Sequence, residues 1–302
     1  MLLFKGKSSP VTGLAFSPDG GTLAAGSSSR VDLWDVAARK GDAWQMGVWG
    51  VPPDNVRFDP SGKWLLVATG LERGLHVVEV RIRAGKQVGT FDVNCLAVSR
   101  TGEVLVGGES RISAFGITEK GLSARKWAKG LNGSQLAGLD FFPDGKRFAT
   151  VERKYSPGSA TGDFVTRVRM RAARDGRLTQ EAESDGPQVT QVRVSPDGQW
   201  IAFSSAKFLI VHHGVEMTRS VKVPNPGKKP ITGLAFHPSG RYLAATSSDG
   251  TVRLHDREAN WAVTRMFDWG IGGLKSVAFH PDGTLAAASG EKGQVVLWDV
   301  DL

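Results

Sequence analysis

Strand-like apolar runs recur along the chain, and seven of them end in the same four-residue polar turn. The turns are Ser17-Pro18-Asp19-Gly20, Asp59-Pro60-Ser61-Gly62, Ser99-Arg100-Thr101-Gly102, Phe142-Pro143-Asp144-Gly145, Ser195-Pro196-Asp197-Gly198, His237-Pro238-Ser239-Gly240 and His280-Pro281-Asp282-Gly283. Measured between their glycines, the steps are 42, 40, 43, 53, 42 and 43 residues. The sixth repeat shows the unit most clearly. Ile231 to Phe236 is an apolar run, the turn follows, Arg241 to Thr246 is a second run, and Ser248-Asp249-Gly250 leads into Thr251 to Asp256. Pro presets φ for the first corner of a turn and Gly accepts a positive φ, so each such turn joins adjacent antiparallel strands. Asp-Gly between apolar runs is a hairpin signal in its own right. Small residues mark the second strand of several repeats, as in Ala24-Ala25-Gly26, Ala244-Ala245 and Ala286-Ala287-Ala288, where sheets packed face to face leave no room for bulk.

A repeat of about 40–45 residues, each folding into about four strands, is the period of a β-propeller. The expected fold is therefore all-β: a seven-bladed β-propeller of four-stranded antiparallel blades. The repeats run approximately 10–50, 51–91, 92–130, 131–183, 184–226, 227–268 and 269–302, in a single domain covering 1–302. The last repeat stops after its third strand, Val295 to Val300, and residues 1–5 have the length to supply the fourth. Pairing them would close the ring and cover two open sheet edges, so trimming either end should destabilise the whole fold.

Composition narrows the class. Hydrophobic residues are 40% and charged residues 23%, and no run approaches the roughly 18 apolar residues of a membrane span. The opening Met1-Leu2-Leu3-Phe4-Lys5 lacks the apolar core and cleavage site of a secretory signal, which leads to an expectation of a cytoplasmic protein without membrane attachment. The single Cys95 lies in an apolar run and reads as a buried structural thiol. The net charge of +8 is uneven: residues 81 to 177 hold 18 Lys and Arg against 9 Asp and Glu, and the remainder holds 20 against 21. One side of the ring should therefore carry a positive field that draws an acidic partner.

Val31-Asp32-Leu33-Trp34-Asp35 and Val295-Val296-Leu297-Trp298-Asp299 resemble the third-strand signature of the WD-repeat β-propeller family, and Thr251 to Asp256 is a near match with His255 in the Trp position. The Gly-His pair that family members often carry before the first strand is absent, so the family's buried hydrogen-bond network cannot form in full and apolar packing must carry more of the blade stability. The resemblance implies a docking face built from the loops that join fourth to first strands and second to third strands, with the Pro-Asp-Gly turns on the opposite face.

Several residues on that face are candidates for partner contact. Met46-Gly47-Val48-Trp49-Gly50 and Met266-Phe267-Asp268-Trp269-Gly270 share a pattern, and each indole either anchors a partner or plugs a gap between blades. The fourth repeat carries about ten extra residues between its second and third strands, bringing Arg153, Lys154 and Tyr155 to the docking face together with Arg30, Arg73 and Arg111. In Thr166 to Arg171 a period of two sets Arg167, Arg169 and Arg171 on one side, and with Arg125, Lys126, Lys129, Arg174 and Arg177 nearby in the blade order they form a candidate cationic patch. A solvated face or an acidic protein partner ranks ahead of nucleic acid, since no nucleic-acid-binding motif accompanies the patch.

Nothing points to catalysis. His237 and His280 recur by their place in the turn, His212 and His213 point to opposite sides of a strand, and no recognised nucleophile, metal or phosphate motif is present. Asp140 is the only carboxylate on the expected channel-lining strands, which argues against a channel metal and leaves a channel hydrolase as the least favoured reading. The expectation is a non-catalytic scaffold, with no cofactor or metal, that binds a protein or peptide as a monomeric propeller within a larger complex. A nucleic-acid-associated subunit is the alternative.

Overall fold

The computed structural model describes residues 2–5, 9–27, 30–38, 40–44, 55–68, 74–81, 84–88, 93–157, 164–184, 189–205, 208–214, 217, 219–227 and 229–301. The described strands form seven antiparallel sheets arranged as the blades of a propeller. The innermost strands are Val11–Phe16, Asn55–Phe58, Cys95–Val98, Ser134–Phe141, Val189–Val194, Ile231–Phe236 and Leu274–Phe279. Each pairs with the strand that follows its repeat turn. Blade 7 takes its outer strand from the start of the chain, Leu2–Lys5, which pairs antiparallel with Gln294–Asp299 in the register Leu2↔Leu297 to Lys5↔Gln294. Blade 3 departs from four strands: its outer edge is split into Gly121–Leu122 and Trp127–Gly130, both paired with Arg111–Thr118.

The repeat turn has one geometry throughout. The glycine N–H donates to the carbonyl of the first turn residue, from 2.8 Å in Ser195–Gly198 to 3.1 Å in Ser99–Gly102. The third blade has no Pro-Asp, yet Thr101 takes the place of the Asp, with its hydroxyl 3.0 Å from Ser99 Oγ. Turns also touch their neighbours. His237 Nε2 lies 3.0 Å from the Gly283 carbonyl, and a Cβ on Gly20, at φ 74°, would fall 1.9 Å from His280 Nε2. The two turn histidines therefore latch onto the next blade, a role beyond their shared repeat position.

The core lies between blades. Leu23, Ala24 and Ala25 are fully buried, as are Ala286, Ala287 and Ala288, and each blade packs its middle strands against the inner strand of the next. Trp34 and Trp298, the two signature tryptophans, are buried. His255, in the third such position, is buried with Nδ1 2.8 Å from the Trp261 carbonyl. Trp261 itself is 1% exposed at φ 63°, and its ring meets Trp200 edge-on at 5.5 Å and Phe236 at 6.0 Å, filling the seam between blades 5 and 6. No helix of the described residues is long and apolar enough to cross a membrane.

Candidate docking surfaces

Strand direction places the surfaces. Inner strands run toward the repeat turns, so their starts, together with the loops between second and third strands, lie on the opposite, loop-rich face. In five blades the first strand opens with a register shift: between Val11 and Gly13, Leu136 and Gly138, Val189 and Val192, Ile231 and Gly233, and Leu274 and Ser276. Such bulges re-aim a side chain. Here Thr12, Ala137, Thr232 and Lys275 come to line a cavity of about 440 Å³ at the channel mouth, with Asn55, Asn94, Cys95 and Gln191. Below the mouth, three charged side chains share one level of the ring: Arg57, Asp140 and Arg193.

The cationic sector resolves into separate places. Glu152, 1% exposed, accepts from Arg171 Nη2 at 2.7 Å and from Arg169, while Arg169 Nε also reaches Glu181 Oε2 at 3.0 Å and Arg167 Nη2 reaches Glu183 Oε1 at 3.0 Å. Burial works against the Arg169 charge, but the Glu152 and Glu181 carboxylates together outweigh it and raise its pKa above the ordinary value. The three arginines of the third strand are therefore matched by three carboxylates, two of them on the neighbouring strand Leu178–Ser184. Lys126 is paired with Glu103 Oε1 at 2.9 Å, and Arg125 lies with Arg111 and Glu109 around a separate small hollow on blade 3. Arg125 and Lys126 thus have neighbours of their own and do not line the hollow that holds Arg167, Arg169 and Arg171.

What remains is a cleft of about 470 Å³ between blades 3 and 4. Blade 3 and the link after it contribute Lys129 and Asn132, and blade 4 contributes Ser134, Lys154, Arg167, Arg169, Arg171, Arg177 and Leu178. Lys129, Lys154 and Arg177 are exposed and have no ion pair among the described residues. Leu178 is 40% exposed and adds an apolar edge. Trp127 holds this seam: its indole N–H donates to the Ala173 carbonyl at 2.9 Å and its ring stacks on Phe148 at 6.2 Å. Lys129 and Arg177, which the sequence grouped with the three arginines, do line one cleft with them, whereas nothing in the repeat pattern singled out Trp127, because it meets blade 4 across a blade boundary.

The other sequence candidates fall as follows. Tyr155 is 60% exposed at the end of Arg147–Tyr155, edge-on to Phe164 at 5.6 Å, and Arg153 is half-buried beside it. Arg30 does not stand free: Nη2 folds back onto Asp32 Oδ2 at 2.6 Å, with its side chain 11% exposed. Trp269 is half-buried, stacked on Phe267 at 5.8 Å and packed on Trp298 at 4.7 Å, a geometry that fits the plug between blades. Trp49, Arg73 and residues 158–163 lie outside the described residues. Cys95 is buried, and burial pushes its thiol pKa far up, as a structural thiol requires. Among the described residues no three His, Cys, Asp or Glu side chains cluster as a metal site.

Comparison with known proteins agrees with the architecture. Residues 1–35, 219–256 and 270–299 match the family described as WD domain, G-beta repeat. No curated protein matches the sequence significantly. Similar solved structures include the Kuenenia stuttgartiensis hydrazine synthase, at TM-score 0.81 and 16% identity over 99% of this chain and 97% of that one. Another is the β-propeller domain of Myceliophteria thermophila Cps50 (Swd1), at TM-score 0.79 and 14% identity over 99% and 100%. At such identities the likeness carries the fold and not the activity, and one of the two is named as an enzyme. With seven blades built alike, the chain is a seven-bladed β-propeller, three regions of which match the WD repeat, a fold that typically serves as a non-catalytic interaction scaffold.

Proposed function

We propose that this ring is a non-catalytic interaction module, one subunit of a larger cytoplasmic assembly, that takes an acidic segment of a partner protein into the cleft between blades 3 and 4. The carrying observation is the charge left over there. Glu152, Glu181 and Glu183 satisfy the three arginines, while Lys129, Lys154 and Arg177 stay exposed around Leu178. A surface with spaced cations and an apolar edge suits a peptide of alternating acidic and apolar residues. A phosphate backbone carries a charge at every step and would have to pass Glu181 and Glu183, whose side chains are 46% and 70% exposed on the same strand, whereas a peptide of alternating residues can set apolar side chains against them. Lys154 and Tyr155 carry the surface up to the loop-rich face, and blades joined by latched turns and aromatic plugs can present it with little rearrangement on binding.

The test is fluorescence anisotropy of a labelled Glu/Leu-rich peptide, with labelled single- and double-stranded oligonucleotides as the second arm. Exposed charges contribute about 0.2–1 kcal/mol each, so the combined Lys129→Ala, Lys154→Ala and Arg177→Ala variant should weaken peptide binding by about 3- to 150-fold. Peptide binding that ignores these changes, or oligonucleotide binding tighter than peptide binding and lost with them, would overturn the reading.

A further inference from the structure

The central channel holds charge that the docking cleft does not use. Seven inner-strand residues stand two positions before the repeat turns: Ala15, Arg57, Ala97, Asp140, Arg193, Ala235 and Ala278. Four are alanine, so the other three are the charged side chains of that level. Each is enclosed by the strands of the ring yet only half-buried by area, as expected of a group that faces a channel. Their hydrogen bonds are largely to backbone. Asp140 accepts from the Val194 N–H at 2.9 Å and the Phe141 N–H at 3.1 Å. Arg193 donates from Nε to the Leu234 carbonyl at 3.1 Å and from Nη1 to the Val192 carbonyl at 2.8 Å. Arg57 has one such bond, Nη1 to the Val56 carbonyl at 2.8 Å.

Two guanidinium groups thus share an enclosed space with one carboxylate, an excess of one positive charge, and Lys275 adds another at the mouth. Burial first, and then repulsion from Arg193, pulls the Arg57 pKa down to about 10. Burial lowers Arg193 as well, against the pull of Asp140. A guanidinium has five N–H donors in a planar fork that matches a carboxylate. Arg57 spends one of its donors on Val56, and no other bond from it is found among the described residues. Arg193, Asn55 and Gln191 line the 440 Å³ cavity, and Arg57, which is not part of that lining, stands close enough to Arg193 for the two charges to repel. We infer that the channel is an anion site, in which Arg57 and Arg193 hold a carboxylate that reaches them through the loop-face mouth past Lys275.

The carboxylate could be supplied by a free dicarboxylate or by a glutamate of a docked peptide, and two probes separate these sources. Glutarate and a capped glutamate-containing tripeptide would be titrated at constant ionic strength, with chloride and inorganic phosphate as comparison anions, following the thermal midpoint and the heat of binding. Saturable binding of either carboxylate probe beyond chloride is the expected result, and the probe that binds names the source. Arg57→Met should abolish that response, since the remaining charge would be balanced by Asp140. Asp140→Asn should tighten it by about tenfold, because it removes the competing carboxylate from an enclosed site. The inference fails if wild type and Arg57→Met respond alike, or if phosphate binds and neither carboxylate probe does. If Asp140→Asn does not fold, the Arg57→Met comparison still decides. The cleft variant with Lys129, Lys154 and Arg177 changed should leave this site untouched, so the two sites can fail separately.

Discussion

Replacing Glu152 by Gln would expose how much of blade 4 depends on one buried carboxylate. Its side chain is 1% exposed and accepts four hydrogen bonds from three partners: Thr150 Oγ1 donates at 2.9 Å, Arg171 from Nη2 at 2.7 Å and from Nε at 3.2 Å, and Arg169 completes the set. Arg171 is itself 6% exposed, and without Glu152 its remaining acceptor is the Gly176 carbonyl at 3.1 Å. Arg169 keeps Glu181, so the cost falls mainly on Arg171. Removing one partner of a buried ion pair costs about 3–5 kcal/mol, because the other charge stays desolvated and uncompensated. At roughly 2 °C per kcal/mol for a chain of this size, the thermal midpoint should fall by about 6–10 °C. Urea unfolding of wild type, Glu152→Gln and the double variant Glu152→Leu with Arg171→Leu would measure it. The double variant should recover most of the loss, since an apolar pair of similar volume needs no desolvation of charge. A loss below about 1 kcal/mol for Glu152→Gln would refute the reasoning, as exposed pairs commonly show no more than that.

Two further outcomes follow from the turns and the buried histidines. Asp282 is held at about 2 by the Thr284 N–H and hydroxyl and then by His280, and Asp19 lies below the usual range through the Ser17 hydroxyl. Burial works against Asp197 and Asp249, but hydrogen bonds outweigh it and lower them too. Carboxyls depressed in the fold contribute stability above their unfolded pKa near 4 and lose it as pH falls toward about 2. His76, His212 and His255 are lowered by burial, so the unfolded chain protonates first and stability begins to fall as pH drops through about 6.5. Thermal midpoints recorded from pH 8 to pH 3 should therefore decline in two stages, and a flat profile would contradict both assignments. Gly20→Ala should cost more than Gly102→Ala, because both have positive φ but only Gly20 would drive a Cβ into His280. The shared backbone penalty is about 1–2 kcal/mol, and adding His280→Ala should return Gly20→Ala to that level by urea unfolding.

Some of the site could be read from the chain and some could not. Lys154 and Tyr155 were legible because an insertion between the second and third strands of a blade must project from the loop-rich face. The patch around Arg167, Arg169 and Arg171 was legible as a period-two stripe but not as a charge, because Glu181 and Glu183 are contributed by the next strand and Glu152 by the previous one. Arg125 and Lys126 are close in sequence to Lys129, yet the split outer strand of blade 3 sends them elsewhere. Trp269 has the composition of a hot spot and the surroundings of a plug.

The sequence alone determined the number of blades, their strand order and the turn chemistry, because these are local: apolar runs of strand length, Pro and Gly at fixed offsets, and a step near 42 residues repeated down the chain. The expected pairing of the opening residues with the last repeat is found as Leu2–Lys5 against Gln294–Asp299. The tertiary structure decided which side chains face each other across blades and across the channel. Arg57, Asp140 and Arg193 are 83 and 53 positions apart in sequence and come from three different blades. Their shared level in the ring exists only once the ring has closed, because each repeat specifies where its own side chains point and none specifies what stands opposite.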